Sequence, residues 1–371
     1  MQVKPFTIDI SQTVLDDLRE RLARTRWPDE AEGTGWSYGT NLGYMKDLAN
    51  YWQHQYDWRK HEAELNKFAQ FKAEVDGVGI HFIHERGKGP NPIPLLLVHG
   101  WPDSFYCYHK VIGLLTDPEN FGGDPNMSFD VIAPSNPGQG FSDRKAMTSE
   151  GLADVFVKLM RDVLGYKQFV SADGNGGTLI SQAMALSHPD GLLGIHLTDV
   201  GYPDGSTDFS TLSPPEQEFA ANIQQWFFRE GAFNMIQSSK PQSLAYGLND
   251  SPDGLAAWIL SFVRPEERNI SRDELLTNIM IYWVTQTIGS SMRWYYEGAH
   301  AAPAPNKGER PSVPAGVAHD PAGEPLPREW AARKVKLVHF TVLPRGGHFV
   351  AWEEPELYAK DMQEFVGELR K

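Results

Sequence analysis

Residues 170–179 read Val-Ser-Ala-Asp-Gly-Asn-Gly-Gly-Thr-Leu, and this stretch decides the fold. An apolar, strand-like run (168–172) leads into it, and a helix-like run (177–186) follows it. Small residues on both sides of Asn175 permit the tight strand-to-helix turn that exposes a nucleophile at the edge of an α/β sheet. A glycine-rich anion-binding loop at a helix N-terminus is the plainer interpretation of the same pattern.

Strand-like and helix-like segments alternate on both sides of this turn. Apolar strand-like runs cover 94–98, 129–133 and 194–198, and an amphipathic helix-like run covers 152–164. Strands that alternate with helices indicate a parallel sheet with crossover helices. The sequence therefore predicts an α/β protein whose chemistry gathers at strand ends.

Four regions can be distinguished along the 371 residues. Residues 1–90 hold amphipathic helix-like stretches and predict an N-terminal helical extension. Residues 91–200 are expected to form the first part of the α/β core, and residues 301–371 the second. Residues 201–300 lack apolar strand-like runs and contain aromatic helix-like stretches, which predicts a helical cap inserted into the core.

Composition limits the partners and cofactors to be expected. The chain has 34 Lys and Arg against 48 Asp and Glu, and the net charge of −14 argues against nucleic acid and anionic membranes. One cysteine excludes an internal disulfide, and no apolar signal segment is visible, so we expect a cytoplasmic protein. The twelve histidines are scattered without metal-ligand spacing. No metal and no cofactor are therefore expected.

A second informative stretch, residues 345–348, reads Arg-Gly-Gly-His and follows an apolar, β-rich run (335–343). Two glycines before a histidine let the backbone turn sharply and leave the imidazole projecting from a loop. A loop histidine at the end of a late strand is where an α/β-hydrolase keeps its general base. A packing or capping role for His348 is the plainer interpretation.

A third stretch, His99-Gly100-Trp101-Pro102, directly follows the strand-like run 94–98. In a hydrolase sheet such a loop presents backbone N–H groups to a developing negative charge. On this interpretation Trp101 and Gly176 flank Asn175 with N–H donors. The chain contains no Gly-x-Ser-x-Gly, which argues against a serine esterase or lipase.

Further short motifs extend along nearly the whole chain. The N-terminal set consists of Arg26-Trp27-Pro28 and Asp57-Trp58-Arg59. The two cap signatures are Leu248-Asn249-Asp250-Ser251-Pro252 and Thr287-Ile288-Gly289-Ser290-Ser291. The C-terminal base motif is Arg345-Gly346-Gly347-His348-Phe349 with Glu353-Glu354-Pro355-Glu356. With the His99 to Pro102 loop, these motifs make the chain resemble the microsomal-type epoxide hydrolases, including their soluble microbial members.

The resemblance implies an α/β-hydrolase core with a cap, a small-molecule substrate and no cofactor, and it leaves a homodimer open. In that family an aspartate attacks an epoxide carbon and forms an alkyl-enzyme ester. Two cap tyrosines protonate the epoxide oxygen, and a histidine–acid pair activates the water that cleaves the ester. Carried over residue by residue, His348 is the base and Tyr295 is one tyrosine. Glu324 is the nearest acid partner for the base, and Asp320 is the second choice.

Two family positions carry unexpected residues. Asn175 falls on the nucleophile, with Asp173 two residues earlier, and a neutral amide is a far poorer nucleophile than a carboxylate. The second tyrosine position falls on Phe233, and phenylalanine cannot donate a proton. Asn175 could be an engineered substitution, a natural divergence, or an asparagine that deamidates to aspartate.

The expected function is that of an epoxide hydrolase or epoxide hydrolase-like enzyme acting on an apolar, natural-product-like epoxide. Two alternatives stay open at this point. One is a cyclase, isomerase or eliminase that uses Tyr295 and His348 without a covalent intermediate. The other is a non-catalytic protein that binds a small ligand.

Overall fold

The computed structural model describes residues 2–205, 207–302 and 308–370. In this described part, nine strands form one sheet in the order β1-β2-β3-β5-β4-β6-β7-β8-β9. The strands are β1 (Lys4–Pro5), β2 (Gln70–Val75), β3 (Val78–Glu85), β4 (Ile93–Val98), β5 (Phe129–Pro134), β6 (Phe169–Asp173), β7 (Leu192–Leu197), β8 (Pro314–His319) and β9 (Lys336–Val342).

The helices follow the strands in the alternation that the sequence predicts. They are α1 (Gln12–Ala23), α2 (Leu42–His54), α3 (Trp58–Leu65), α4 (Val111–Thr116), α5 (Ser149–Lys158), α6 (Gly177–Ser187), α7 (Pro214–Glu230), α8 (Ala232–Ser239), α9 (Pro241–Asp250), α10 (Pro252–Val263), α11 (Arg272–Thr285), α12 (Ile288–His300), α13 (Arg328–Lys334), α14 (Val350–Glu353) and α15 (Pro355–Leu369). Among these helices, none combines the length and apolar character needed to cross a membrane.

The sheet is mostly parallel, and the predicted α/β-hydrolase architecture is confirmed. Strands β4 to β9 pair in parallel, whereas β1, β2 and β3 pair antiparallel and join the sheet through β5. The N-terminal region therefore contributes three strands as well as the expected helices. Helical periodicity alone did not predict these strands.

The central strand β4 is buried on both faces, which explains its uninterrupted apolar sequence. Successive side chains of a strand point to opposite faces. Leu95 and Leu97 accordingly join one core cluster, and Leu96 and Val98 join the other. The first cluster also contains cap side chains, so the cap and the sheet share one core.

The predicted helical cap consists of α7 to α12, which lie in the chain between β7 and β8. The N-terminal region is hydrogen-bonded to this cap. The Tyr51 hydroxyl donates to Asp273 Oδ1 at 2.7 Å, and Thr40 Oγ1 donates to the Ala257 carbonyl at 2.6 Å. These contacts join the N-terminal region to cap helices α10 and α11.

Candidate active site

The turn between β6 and α6 places Asn175 in a left-handed backbone conformation, with φ of +59°. Asparagine tolerates this region better than most residues. Two glycines allow the close approach that the turn requires. A Cβ on Gly176 would lie 2.5 Å from the Trp294 ring, and a Cβ on Gly100 would lie 2.7 Å from Asn175 Cβ. The turn therefore has the tight geometry that the flanking small residues predict.

Both ends of the Asn175 amide are hydrogen-bonded. Its Nδ2 donates to the Trp101 carbonyl at 2.6 Å, and the Gly176 N–H donates to its Oδ1 at 2.7 Å. The side chain thus meets the N–H of Gly176 as expected, but it meets the carbonyl of Trp101 instead of the N–H. An amide suits this arrangement because it both donates and accepts, whereas a carboxylate only accepts.

His99 fixes the loop behind Trp101 and lies away from the cavity. Its ring is fully buried, with Nδ1 2.9 Å from the Gly100 carbonyl, and its Nε2 accepts from the Asn136 N–H at 3.2 Å. Burial lowers the pKa of His99 to about 4, so the ring is neutral. These contacts give His99 a role in holding the backbone, not in proton transfer.

The cap clamps the same loop from the other side. Asn278 Nδ2 donates to the Pro102 carbonyl at 2.8 Å, and the Tyr282 hydroxyl donates to the Asp103 carbonyl at 2.5 Å. Trp101 Nε1 donates to Ser291 Oγ at 3.2 Å. Helices α11 and α12 therefore fix the backbone and the indole beside Asn175.

His348 lies in the loop after β9 and is surrounded by aromatic rings. Its ring packs edge to face on Phe262 and Phe349, with centroids 5.3 and 5.0 Å away. Its Nε2 atom is buried and has no hydrogen-bond partner in the described part of the chain. Burial lowers the pKa of His348 to about 4, against the opposing charge of Asp320. The ring is therefore neutral near pH 7 and has a free nitrogen for a proton.

The two acid candidates have different neighbours. Asp320 follows β8, and its Oδ1 accepts from the N–H groups of Ala322 and Gly323 at 3.1 and 2.7 Å. Its charge acts on the His348 ring. The Glu324 carboxylate instead lies 4.0 Å from the Arg229 guanidinium of the cap.

Tyr295 and Phe233 meet on the Trp101 ring. Phe233 stacks on the indole with an interplanar angle of 10° and a centroid distance of 5.8 Å. Tyr295 meets the indole edge to face at 6.0 Å, and Tyr295 and Phe233 are 6.1 Å apart. Burial raises the pKa of Tyr295 above its usual value, so the phenol stays protonated at neutral pH. The cap thus brings one phenol and one phenyl ring to the Trp101 indole.

A cavity of about 1270 Å³ lies between the cap and the core. Aromatic side chains form much of its wall, including Trp226, Phe233 and Phe262. His348 and Asp320 line it as well, together with Glu324. An apolar pocket with a few convergent polar groups is the usual form of a small-molecule site.

Asp173 lies under the turn, at the end of β6, and is fully buried. Burial raises its pKa well above the usual value, although interactions with Ser181 and Thr198 oppose that shift. Ser181 lies in α6, and Thr198 directly follows β7. Asp173 is therefore a neutral, enclosed acid and does not line the described cavity.

Two charged residues that the sequence analysis missed lie close to this centre. Asp103 is 4% exposed, and burial raises its pKa to about 7. Interaction with the Asn175 side chain opposes this rise. Arg268 donates to Glu353 Oε1 at 2.9 Å, and its charge acts on both Asp103 and His348. The position of Asp103 directly after the His99 to Pro102 loop was the available signal for it.

Comparisons with known proteins agree with this geometry. A family model described as epoxide hydrolase N terminus matches residues 3–108, and the α/β-hydrolase fold model matches residues 93–355. Epoxide hydrolase 1 of Sus scrofa is 38% identical over 413 residues, which cover 100% of this chain and 89% of the relative.

Two solved structures are similar over the full length. The crystal structure of juvenile hormone epoxide hydrolase from Bombyx mori is 32% identical, with a TM-score of 0.86 over 100% of this chain and 94% of that one. The structure of Aspergillus niger epoxide hydrolase is 26% identical, with a TM-score of 0.85 over 100% and 97% of the two chains.

Proposed function

We propose that this chain, which belongs to the epoxide hydrolase family of α/β-hydrolases, converts a bulky apolar epoxide to a diol in the cavity between cap and core. The family membership confirms the predicted resemblance and the hydrolase class, so the non-hydrolytic and binding alternatives are not needed. The observation that carries the assignment of the site is the buried, unpartnered Nε2 of His348 on a cavity wall. The cytoplasmic location and the homodimer stay predictions.

The cavity supports a large apolar substrate. Its volume of about 1270 Å³ exceeds the range of about 300–1,000 Å³ that is usual for drug-sized ligands. The aromatic rings of Trp226, Phe233 and Phe262 favour an apolar or aromatic body, because they offer it apolar surface and ring edges. We therefore expect bulky epoxides to be better substrates than small ones.

Tyr295 is the proton donor in this proposal. Its raised pKa keeps the proton available, and its position on Trp101 places it beside the Asn175 turn. His348 is the base that takes a proton from water, because its ring is neutral and its Nε2 is free. Asp320 is the acid that stabilises the imidazolium formed in that step, since its charge already acts on the ring.

The test is product analysis with a panel of epoxides of increasing size. The proposal expects each product to gain the mass of one water, with catalytic efficiency rising as the apolar body becomes larger. Conversion without a change in mass would contradict hydrolysis. Saturable binding of the same epoxides without turnover would contradict an enzymatic role.

Replacing Tyr295 with phenylalanine is expected to lower diol formation by about 10²-fold or more. The change removes one hydroxyl and leaves the ring, so the loss reports proton donation, whose usual contribution is about 10²–10⁴-fold. The matched control is Tyr296→Phe on the same helix, because Tyr296 is 39% exposed and stacks on His300. Equal activity of the two variants would make Tyr295 a packing residue.

The acid partner is tested by comparing Asp320→Asn with Glu324→Gln. We expect Asp320→Asn to lower kcat by at least about tenfold, because the imidazolium loses its stabilising charge. Glu324→Gln should stay within about threefold, since its ion pair with Arg229 is a partly exposed one. The reverse order in steady-state kinetics would assign the role to Glu324.

A further inference from the structure

The Asp103 carboxylate is an unexplained charge at the centre of this site. The side chain is 4% exposed, and its Oδ1 has no hydrogen-bond partner in the described part of the chain. Burying a carboxylate oxygen without a hydrogen-bond partner is costly, and a catalytic role is one explanation for such a group in a folded protein. Its backbone is held by the Tyr282 hydroxyl, so the side chain projects from a fixed point.

Asp103 lies against the position where the family carries its nucleophile. The loop from Gly100 to Asp103 wraps around the Asn175 amide, which donates to the Trp101 carbonyl and also interacts with the Asp103 carboxylate. The charge of Asp103 acts on Tyr295, the proposed proton donor. A carboxylate, a phenol and the turn therefore meet at one place.

Resting on the proposed epoxide hydrolysis, we propose that Asp103 is the nucleophile of this enzyme and takes the place of the amide at Asn175. An Asp103 carboxylate oxygen forms a bond to one epoxide carbon. The bond from that carbon to the epoxide oxygen breaks, and the oxygen keeps the electron pair and takes the phenolic proton of Tyr295. The product of this step is an alkyl ester on Asp103.

The second step releases the diol and restores the carboxyl group. Water gives a proton to His348 Nε2 while its oxygen bonds to the ester carbonyl carbon. The ester C–O bond then breaks, and the departing alkoxide takes the proton back from His348. The diol leaves, and the proton of the new Asp103 carboxyl returns to the Tyr295 phenolate. The sum is one epoxide and one water converted to one diol.

The charges around Asp103 suit this role. Burial and Glu353 raise the pKa of Asp103 to about 7, whereas Asn175 and Arg268 favour its ionised form. A useful fraction is therefore a carboxylate near neutral pH, as a nucleophile requires. The other acid near the turn, Asp173, is fully buried, and burial raises its pKa well above the usual value, so it is neutral near pH 7.

The decisive experiment follows oxygen through the unmodified enzyme, whose intact mass first confirms an amide at Asn175. In ¹⁸O-labelled water, one turnover with enzyme in excess should give a diol without label, because its new oxygen comes from Asp103. After many turnovers, the proteolytic peptide that contains Asp103 should carry ¹⁸O. The peptides that contain Asp173 and Asn175 should stay unlabelled.

The other possible outcomes distinguish failure of the Asp103 role from failure of the proposed function. If labelled oxygen enters the diol in the first turnover, water attacks directly and the role of Asp103 is refuted, while the hydrolase function stands. Label at position 173 or 175 assigns the nucleophile there and also refutes the inference. If no diol forms from any epoxide, the proposed function itself fails.

Asp103→Asn should lower diol formation by about 10³-fold or more, because the loss of a nucleophile leaves only the other groups of the site. The control is Asp173→Asn, which alters a buried acid near the same turn and should keep the label on Asp103. Thermal unfolding and quenching of tryptophan fluorescence by a bound epoxide show whether each variant folds and binds. An Asp103→Asn variant that binds and retains turnover within about threefold would overturn the assignment.

Discussion

Replacing His348 with alanine is expected to lower steady-state diol formation by about 10²-fold or more, because water then loses its base. The first step does not use this imidazole, so the alkyl ester should still form and then persist. Mass spectrometry of the denatured variant after mixing with an epoxide should show the mass of the enzyme plus one substrate. This accumulation separates a missing base from a misfolded protein.

The matched control for this variant is His188→Ala. His188 lies on the surface, where its Nε2 is 2.6 Å from Asp154, and it is remote from the cavity lining. Its replacement should leave turnover within about twofold. If His348→Ala retained activity to the same degree and formed no persistent ester, the base would have to be another group, although the fold would be unaffected.

The architecture could be predicted because it rests on local patterns. The apolar run of β4 and the small residues around Asn175 indicate a buried strand and a tight turn without knowledge of distant contacts. The helical cap could be predicted for the same reason. The strands β1 to β3 could not be predicted in this way, since they form by pairing with each other and with β5.

The roles of single residues depend on contacts that a sequence does not contain. Asp103 follows a proline in a loop, where aspartate is an ordinary turn residue. Its significance arises only when the fold brings it to Asn175 and encloses it. The choice between Asp320 and Glu324 as the acid partner of His348 also depends on the fold, because both lie at about the expected position along the chain. Only the placement of their charges separates them.

Exchanging the two side chains, in the double variant Asp103→Asn with Asn175→Asp, is expected to restore activity at least about tenfold above that of Asp103→Asn alone. The exchange keeps one carboxylate and one amide in contact and leaves the net charge unchanged. The Gly176 N–H, now 2.7 Å from Asn175 Oδ1, can donate to a carboxylate oxygen at the same place. After many turnovers in ¹⁸O-labelled water, the label should move to the peptide that contains position 175.

The single variant Asn175→Asp is the control that isolates the cause. It places two carboxylates in contact, and like charges at this range raise the pKa of one of them and favour its neutral form. The turnover of Asn175→Asp should therefore fall below that of the double variant. If Asn175→Asp alone were the faster of the two, with label only at position 175, the Asp103 carboxylate would not be the group that replaces the missing nucleophile.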